Sequence, residues 1–292
     1  MAAVCHPQDL SPRAYVITPV NLNLVTFTYS FNDGNVLFDQ ALPVTGGQGK
    51  INSWVCTYLY SGDFFGRSFQ ATASLPYAEG NLSGKLLNQE MHLYRSGLVD
   101  SVYRFSVNLK GGPAMKAPEY AKWHQKLLIG ASIRVVAPTG QYDPRRVINQ
   151  GSNRWAFKPE IGLSRRWGNW LLDTYAGVWF FADNPEFYPG SVTLSQRPVG
   201  SFEGHVSYDV KPRLWFSFDA NYWFGGDTVS NGVLQVKTFE NNSRIGVTAS
   251  IPIDKHQSVK FSFSNGAYVV YGGDYKTVSI AYQYLWLGTK FR

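Results

Sequence analysis

Apolar and polar residues alternate along most of this chain, and the alternation is clearest near the C-terminus. There, apolar side chains alternate with small or polar ones from Thr277 to Trp286. Since successive side chains of a β-strand point to opposite faces, this segment has one apolar face and one polar face. The pattern recurs along the chain, and its apolar rows are rich in Phe, Tyr and Trp. It predicts a sheet closed into a barrel, with lipid outside and water inside.

Alternation together with bounding turn residues predicts about twelve strands. They lie near residues 21–32, 51–60, 69–75, 103–110, 129–135, 154–164, 172–180, 202–210, 216–222, 244–251, 259–264 and 277–286. Pro159 falls in the sixth strand, where it removes one backbone hydrogen bond, so we expect a bulge or kink there.

The predicted connections are alternately long and short. Those after the first, third, fifth, seventh and ninth strands are long, and those after the second, sixth, eighth and tenth are tight. Bacterial barrels have short periplasmic turns and longer extracellular loops, and an even number of strands places both termini in the periplasm. Two connections depart from this rule: residues 111–125 are long, with a short helix expected at Pro118, and residues 271–276 are short.

The composition supports a membrane barrel. The chain is 44% hydrophobic and 16% aromatic but only 16% charged, while its mean hydropathy of -0.20 resembles that of a soluble protein. In a membrane barrel half of each strand faces a polar lumen, which lowers the hydropathy. A soluble β-sandwich would also alternate, but repeated Tyr and Trp near strand ends favour girdles at a lipid interface. We predict an all-β protein, a single transmembrane antiparallel β-barrel of about twelve strands with short periplasmic turns and long extracellular loops.

The N-terminus shows no basic region and no long apolar core, so a complete signal peptide is not evident. We interpret residues 1–7 as the remnant of a leader or a disordered N-terminus, and residues 8–292 as one outer-membrane barrel. The alternative is that Met1 is the true start and that the protein is cytosolic.

Charge and motif spacing argue against several function classes. The net charge is +7, but Arg and Lys are scattered among aromatic residues, so we expect no nucleic-acid partner. No Cys/His cluster has zinc spacing, no acidic loop has calcium spacing, and no Gly pair precedes a helix as a phosphate cradle would. We therefore expect no metal and no cofactor.

Charged residues on the polar rows are predicted to line the lumen, since an Arg or Lys facing lipid near the midplane costs about 2–4 kcal/mol. They form either a polar pathway that selects solutes or a salt-bridge network that fills a narrow barrel, and both alternatives stay open. The segment 111–125 is either an inward plug or, as we prefer, a long periplasmic connection. The lumen candidates are Arg104, Lys110, Arg134, Lys158, Glu160, Asp173, Glu203, His205, Asp209, Asp219, Arg244 and Lys260.

An enzyme would need a nucleophile, a base and an orienting group within reach of one another. His205, Ser207 and Asp209 share one polar row, but alternate residues lie about 6–7 Å apart along a strand, too far for direct hydrogen bonds. We therefore predict no catalytic residues and no enzyme. Two alternatives to a channel are kept: a barrel enzyme that acts on lipid, and a structural or adhesive barrel whose loops bind outside partners.

Longer motifs carry a resemblance to a known family. The chain reads QDLSPRAYVITPV near its start, then GLVDSVYRFSVNLKGGPAM, GASIRVVAPTGQYDP and GHVSYDVKPRLW. These motifs resemble the Gram-negative outer-membrane family "putative meta-pathway of phenol degradation", also described as transporters, over residues 8–286. The resemblance implies a place in the cell outer membrane, among its lipid and lipopolysaccharide. It also implies a channel for passive uptake of small organic solutes, including aromatic compounds of a degradation pathway.

Overall fold

The computed structural model describes residues 10–36, 44–86, 89–235 and 238–288, and these ranges are mostly β-strand. No helix within them is long and apolar enough to cross a membrane. The interpretation of residues 1–7 lies outside the described residues. The elements in the described ranges are β1 (Leu22–Val36), β2 (Val44–Phe64), β3 (Arg67–Leu86), β4 (Gln89–Leu98), β5 (Ser101–Lys110), α1 (Ala117–Tyr120), β6 (Leu127–Ala137), β7 (Ala156–Trp167), β8 (Trp170–Phe181), β9 (Asn184–Phe187), β10 (Val192–Gln196), β11 (Val199–Lys211), β12 (Leu214–Gly225), β13 (Thr228–Ser230), β14 (Val233–Leu234), β15 (Glu240–Pro252), β16 (Gln257–Val269) and β17 (Gly273–Leu287).

The large sheet closes on itself, which confirms the predicted barrel. Its order is β2-β1-β17-β16-β15-β12-β11-β8-β7-β6-β5-β3, and pairing between β2 and β3 completes the ring. All these pairs are antiparallel, and the seam between the first and last strands runs from Leu22↔Leu287 to Val36↔Gly273. β4 pairs with residues 77–86 of β3, and β5 pairs with residues 69–74 of the same strand. β4 and β5 therefore share one position in the wall. The barrel therefore has twelve wall positions.

The apolar rows point outward. Phe218 is 54% exposed, while its polar neighbours Ser217 and Asp219 are buried, and Phe261 is 46% exposed. On β2, where alternation left the faces ambiguous, Trp54 and Tyr58 are on the exposed face. Such an apolar outer belt with aromatic side chains is what a lipid-facing barrel wall requires.

Two predicted details of the strands need correction. Of the bulge or kink expected at Pro159, no bulge forms, because the register between β7 and β8 is the same at Phe157↔Phe180 and Glu160↔Gly177. The pairing with β8 is nevertheless interrupted at residues 158 and 159. The connection after the third strand is not a long loop, since β3 and β4 continue as a hairpin beyond the barrel. The short helix at Pro118 is confirmed as α1.

The two ends of the barrel differ in their connections. At one end, which we call the turn end, β2 and β3 are joined through Phe65 and Gly66, both with positive φ (51° and 79°), as a tight type I′ hairpin requires. The opposite end, the loop end, carries the other long connections and the small sheet of β9, β10, β13 and β14, while the long connection of residues 111–126 lies at the turn end. By the rule for bacterial barrels the turn end faces the periplasm.

A connection folds back over the loop end and forms a roof. Ile148, between β6 and β7, packs in an apolar cluster with Ile51, Ala78 and Leu82 of the tall wall formed by β2 and β3. The buried carboxylate of Asp100 holds the same connection by accepting hydrogen bonds from the backbone of residues 140 (2.9 Å) and 152 (2.8 Å). The roof is thus fixed to the barrel wall by both apolar packing and hydrogen bonds.

Candidate functional site: the barrel lumen

Residues 10–21, which we call the inner segment, lie inside the barrel rather than in its wall. The segment leaves the turn end, where the backbone N–H of Asn21 donates to Ser61 (2.8 Å) and that of Val20 donates to Met115 (2.8 Å). Ile17 is fully buried. A Cβ added at Gly246 of β15 would lie 2.7 Å from Leu10, so the segment reaches the opposite wall. It therefore crosses the lumen.

Tyr15 anchors the inner segment. Its ring is 2% exposed and lies against Gly130 of β6 and Gly162 of β7, which are directly paired. A Cβ at either glycine would come within 2.3 Å and 2.2 Å of the ring, so only glycine leaves room for it. The hydroxyl donates to Glu160 Oε1 (3.0 Å) and lies 2.9 Å from Ser132 Oγ. Shape and hydrogen bonding both fix this side chain.

Arg13 provides a second anchor through charge. Its guanidinium forms an ion pair with Asp209 (2.7 Å) and lies 4.3 Å from the centre of the Trp215 ring. Its backbone N–H donates to Asp173 Oδ2 at 3.2 Å. The wall thus binds both the side chain and the backbone of this residue.

The inner faces of β5, β6, β7, β8, β11 and β12, which we call the packed half, are filled by large charged side chains. Lys158 Nζ lies 2.7 Å from Glu160 Oε2 and 3.1 Å from Glu203 Oε1. His205 Nδ1 donates to Asp219 Oδ1 at 2.9 Å, and Thr248 donates to the other oxygen of Asp219 at 2.7 Å. His205 Nε2 lies 3.6 Å from Glu203 Oε2, so these groups form one connected ionic network, and all of them are nearly inaccessible to solvent.

The inner faces of β1, β2, β15, β16 and β17, the hollow half, carry mainly small side chains. They border a cavity of about 700 Å³ between the roof and the inner segment. Hydroxyl groups bond along this wall, with Ser279 donating to Ser30 (2.8 Å) and Thr277 donating to Asn32 (2.8 Å). The hydrogen-bonding capacity of these side chains is thereby satisfied along the wall, and the side chains do not project into the cavity.

The roof contributes polar groups to the cavity. Burial raises the pKa of Tyr142, so its hydroxyl stays protonated and donates to the backbone carbonyl of residue 186 at 2.8 Å. The hydrogen bonds from Arg145 lower the pKa of Asp143. The ionised Asp143 pairs with Arg146, a cavity-lining residue, at 3.3 Å.

Most of the predicted lumen residues do face the lumen, where they fall into three groups: contacts to the inner segment, the ionic network and the cavity wall. Arg104 donates to the inner segment, Asp209 binds Arg13, and Arg134 lies near enough to Glu203 to act on its charge. Lys110 is not brought to the others, because it follows a register shift in β5 and is exposed at the turn end. Arg244 and Lys260 line the cavity. The ionic network itself contains Lys158, Glu160, Glu203, His205 and Asp219, with Asp173 buried beside it.

Sequence reasoning missed the inner segment. For residues 111–125 the structure agrees with the preferred connection rather than the plug, since they join β5 to β6 at the turn end and α1 has no buried residue. One signal was present in the sequence: Gly130 and Gly162 interrupt polar rows of neighbouring strands and leave a gap the size of an aromatic ring.

Comparison with known proteins supports the fold. The family described as "Putative MetA-pathway of phenol degradation" matches residues 30–275. The fold is similar to an outer membrane channel from Pseudomonas putida F1, with a TM-score of 0.81 and 17% identity over 95% of this chain and 100% of that chain. It is also similar to the β domain of the Bordetella autotransporter BrkA, with a TM-score of 0.50 and 10% identity over 90% and 99% of the chains. No curated protein sequence matches this chain. The shared fold and the apolar belt place the barrel in the outer membrane.

Proposed function

The chain belongs to the family described as "Putative MetA-pathway of phenol degradation", and we propose that it is a passive outer-membrane channel for small organic solutes, aromatic compounds among them. The observation that carries this proposal is the cavity of about 700 Å³ inside the closed barrel. Small-molecule sites have volumes of about 300–1,000 Å³, so the cavity has room for one or two rings.

The two halves of the lumen have different roles in this proposal. The buried charges of the packed half hold the barrel and the inner segment, because they are already paired with one another. The solute passes along the hollow half, where Ser262 and Ser279 face the cavity and Arg244 and Lys260 supply charge. The inner segment forms the floor of this route, with Leu10 in contact with the cavity.

The proposal is tested by solute flux into liposomes that contain the purified protein. We expect small solutes that cross a lipid bilayer slowly, such as glucose and phenylalanine, to enter faster than into protein-free liposomes, whereas a large oligosaccharide stays outside. Ser279→Trp fills the cavity and should reduce flux and single-channel current. Ile280→Trp, on the adjacent lipid-facing position, is the matched control and should leave both unchanged. Equal flux with and without protein would exclude the channel.

We also infer that the lumen is not a catalytic site. Of His205, Ser207 and Asp209, only His205 contacts an acid directly. Its Nε2 lies 3.6 Å from Glu203 and does not contact a hydroxyl group. A nucleophile would need to be within hydrogen-bonding distance of that nitrogen. Purified protein in detergent should release no fatty acid from phospholipid. Hydrolysis that disappears in His205→Gln would contradict this inference.

We further propose that the loop end binds lipopolysaccharide through exposed arginines. Arg145 and Arg197 have side chains 85% and 61% exposed, and guanidinium groups bind phosphate through paired hydrogen bonds. Lipopolysaccharide should raise the melting temperature of the purified barrel, and the double variant Arg145→Gln/Arg197→Gln should weaken the rise. Lys255→Gln at the turn end is the control. An identical rise in all three proteins would contradict a role for these arginines.

A further inference from the structure

The charged groups on the cavity wall are not balanced. Two acids, Asp219 and Glu240, line the cavity, and both already accept hydrogen bonds from neighbouring side chains. Thr248 also donates to Asp219, and Gln196 Nε2 is 3.3 Å from Glu240 Oε1. Four cations line the same space: Arg146, Arg154, Arg244 and Lys260. The excess of fixed charge toward the cavity is therefore positive.

Lys260 differs from the other cations because no ion pair between described residues includes it. Its partners across the neighbouring strands are Ser250 of β15 and Ala281 of β17, which carry no charge. Its ammonium lies 5.4 Å from the centre of the Trp215 ring. The charged group that acts on it is the guanidinium of Arg13, which repels it.

Both cations lie close to the ring of Trp215. Arg13 lies 4.3 Å and Lys260 5.4 Å from the centre of the same indole ring. Arg13 is paired with Asp209, whereas Lys260 faces the cavity. An ammonium in a confined space gains most from an anion that it can contact directly, since screening by water is reduced there.

We propose that the cavity selects small organic anions and that Lys260 binds their carboxylate group beside the inner segment. This inference rests on the proposed function. The ammonium carries three donors, of which one or two reach the carboxylate, and the hydroxyl of Ser262 on the same strand provides a further donor. The apolar body of the solute lies against Val55 and Ala281 of the hollow half. Benzoate has this combination of charge and ring, whereas benzyl alcohol has the same ring and no charge.

Planar-bilayer recordings under a potassium chloride gradient test the inference. The full-length protein should show a reversal potential of the sign for chloride permeation, and benzoate should reduce the chloride current while benzyl alcohol does not. Lys260→Gln should lower the anion-to-cation permeability ratio by roughly tenfold, the lower end of the range for a like-charged cleft. Lys260→Arg should keep the preference, and Lys255→Gln in the exposed turn is the matched control.

The outcomes separate this inference from the proposed function. Conductance without anion preference, or a Lys260→Gln channel identical to the wild type, would overturn the anion site and leave the channel intact. Absence of both conductance and flux in the wild type would overturn both proposals. If Lys260→Gln fails to fold, the benzoate block of the wild-type current still decides, since equal effects of benzoate and benzyl alcohol would contradict the site.

Discussion

The packed and hollow halves of the lumen arise from the same alternating pattern but have opposite characters. In the packed half, large side chains of opposite charge, such as Lys158 and Glu203, meet at 3.1 Å and fill the interior. In the hollow half, short hydroxyl side chains such as Ser30 and Ser279 bond along the wall and leave a cavity. A polar inward row therefore specifies water-compatible chemistry, but the size and charge of its residues decide whether space remains.

The largest difference between the halves should appear when one lysine in each is replaced by methionine. Lys158→Met leaves Glu160 and Glu203 buried without their shared cation, which should destabilise the barrel by about 3–5 kcal/mol. Lys260→Met removes no ion pair among described residues and should change the free energy of unfolding by less than about 1 kcal/mol. Urea unfolding in lipid vesicles measures both. Similar losses would mean that the halves do not differ energetically.

A smaller contrast is expected from added volume. Ser207 of β11 is fully buried, so Ser207→Leu overpacks the packed half and should cost about 1–3 kcal/mol. Ser279→Leu projects into the cavity and should leave stability within about 0.5 kcal/mol of the wild type while it lowers channel current. The same unfolding assay and single-channel recordings provide the test. A stable Ser207→Leu variant would show that the packed half contains unrecognised space.

The inner segment, which touches both halves, can be disturbed through a single glycine of the packed half. In Gly162→Ala the new Cβ would lie 2.2 Å from the Tyr15 ring, so the inner segment must shift, at a cost of about 1–3 kcal/mol. Trypsin should then cleave after Arg13, which is protected in the wild type by burial and by Asp209. Gly204→Ala is the control, because no atom lies within 4 Å of its added Cβ. Equal protection in both variants would argue against the Tyr15 anchor.

The smallest effect is expected within the hollow half itself. Ser30→Ala removes the hydroxyl that accepts from Ser279 and should cost about 0.5–1.5 kcal/mol, with the channel current retained. A loss as large as that of Lys158→Met would show that the wall hydroxyls, and not only the ionic network, hold the barrel.

The sequence predicts the wall of the barrel better than its interior. Alternation and the helix-starting role of proline both depend only on residues close in sequence. The faces of β17 and the helix at Pro118 are therefore predicted correctly. Lys158 reaches Glu203 across β8, which lies between their strands, because Gly177 leaves room for its side chain. That contact depends on register and curvature, which no local pattern contains. The inner segment has no alternation that could predict it. Lys110 lies outside the lumen because the register of β5 shifts just before it.

The inner segment is covalently continuous with β1, and this link holds it at the floor of the cavity. A ligand tethered next to its site experiences an effective concentration in the millimolar range or above, whatever the amount of protein present. If Tyr15 leaves its glycine cradle, it is held close by Leu22 at the start of β1 and returns by an intramolecular step. Departures would be seen as brief current fluctuations whose frequency is independent of protein concentration. A free peptide with the sequence of residues 10–21 would shorten these fluctuations only at a concentration comparable to the effective concentration of the tethered segment.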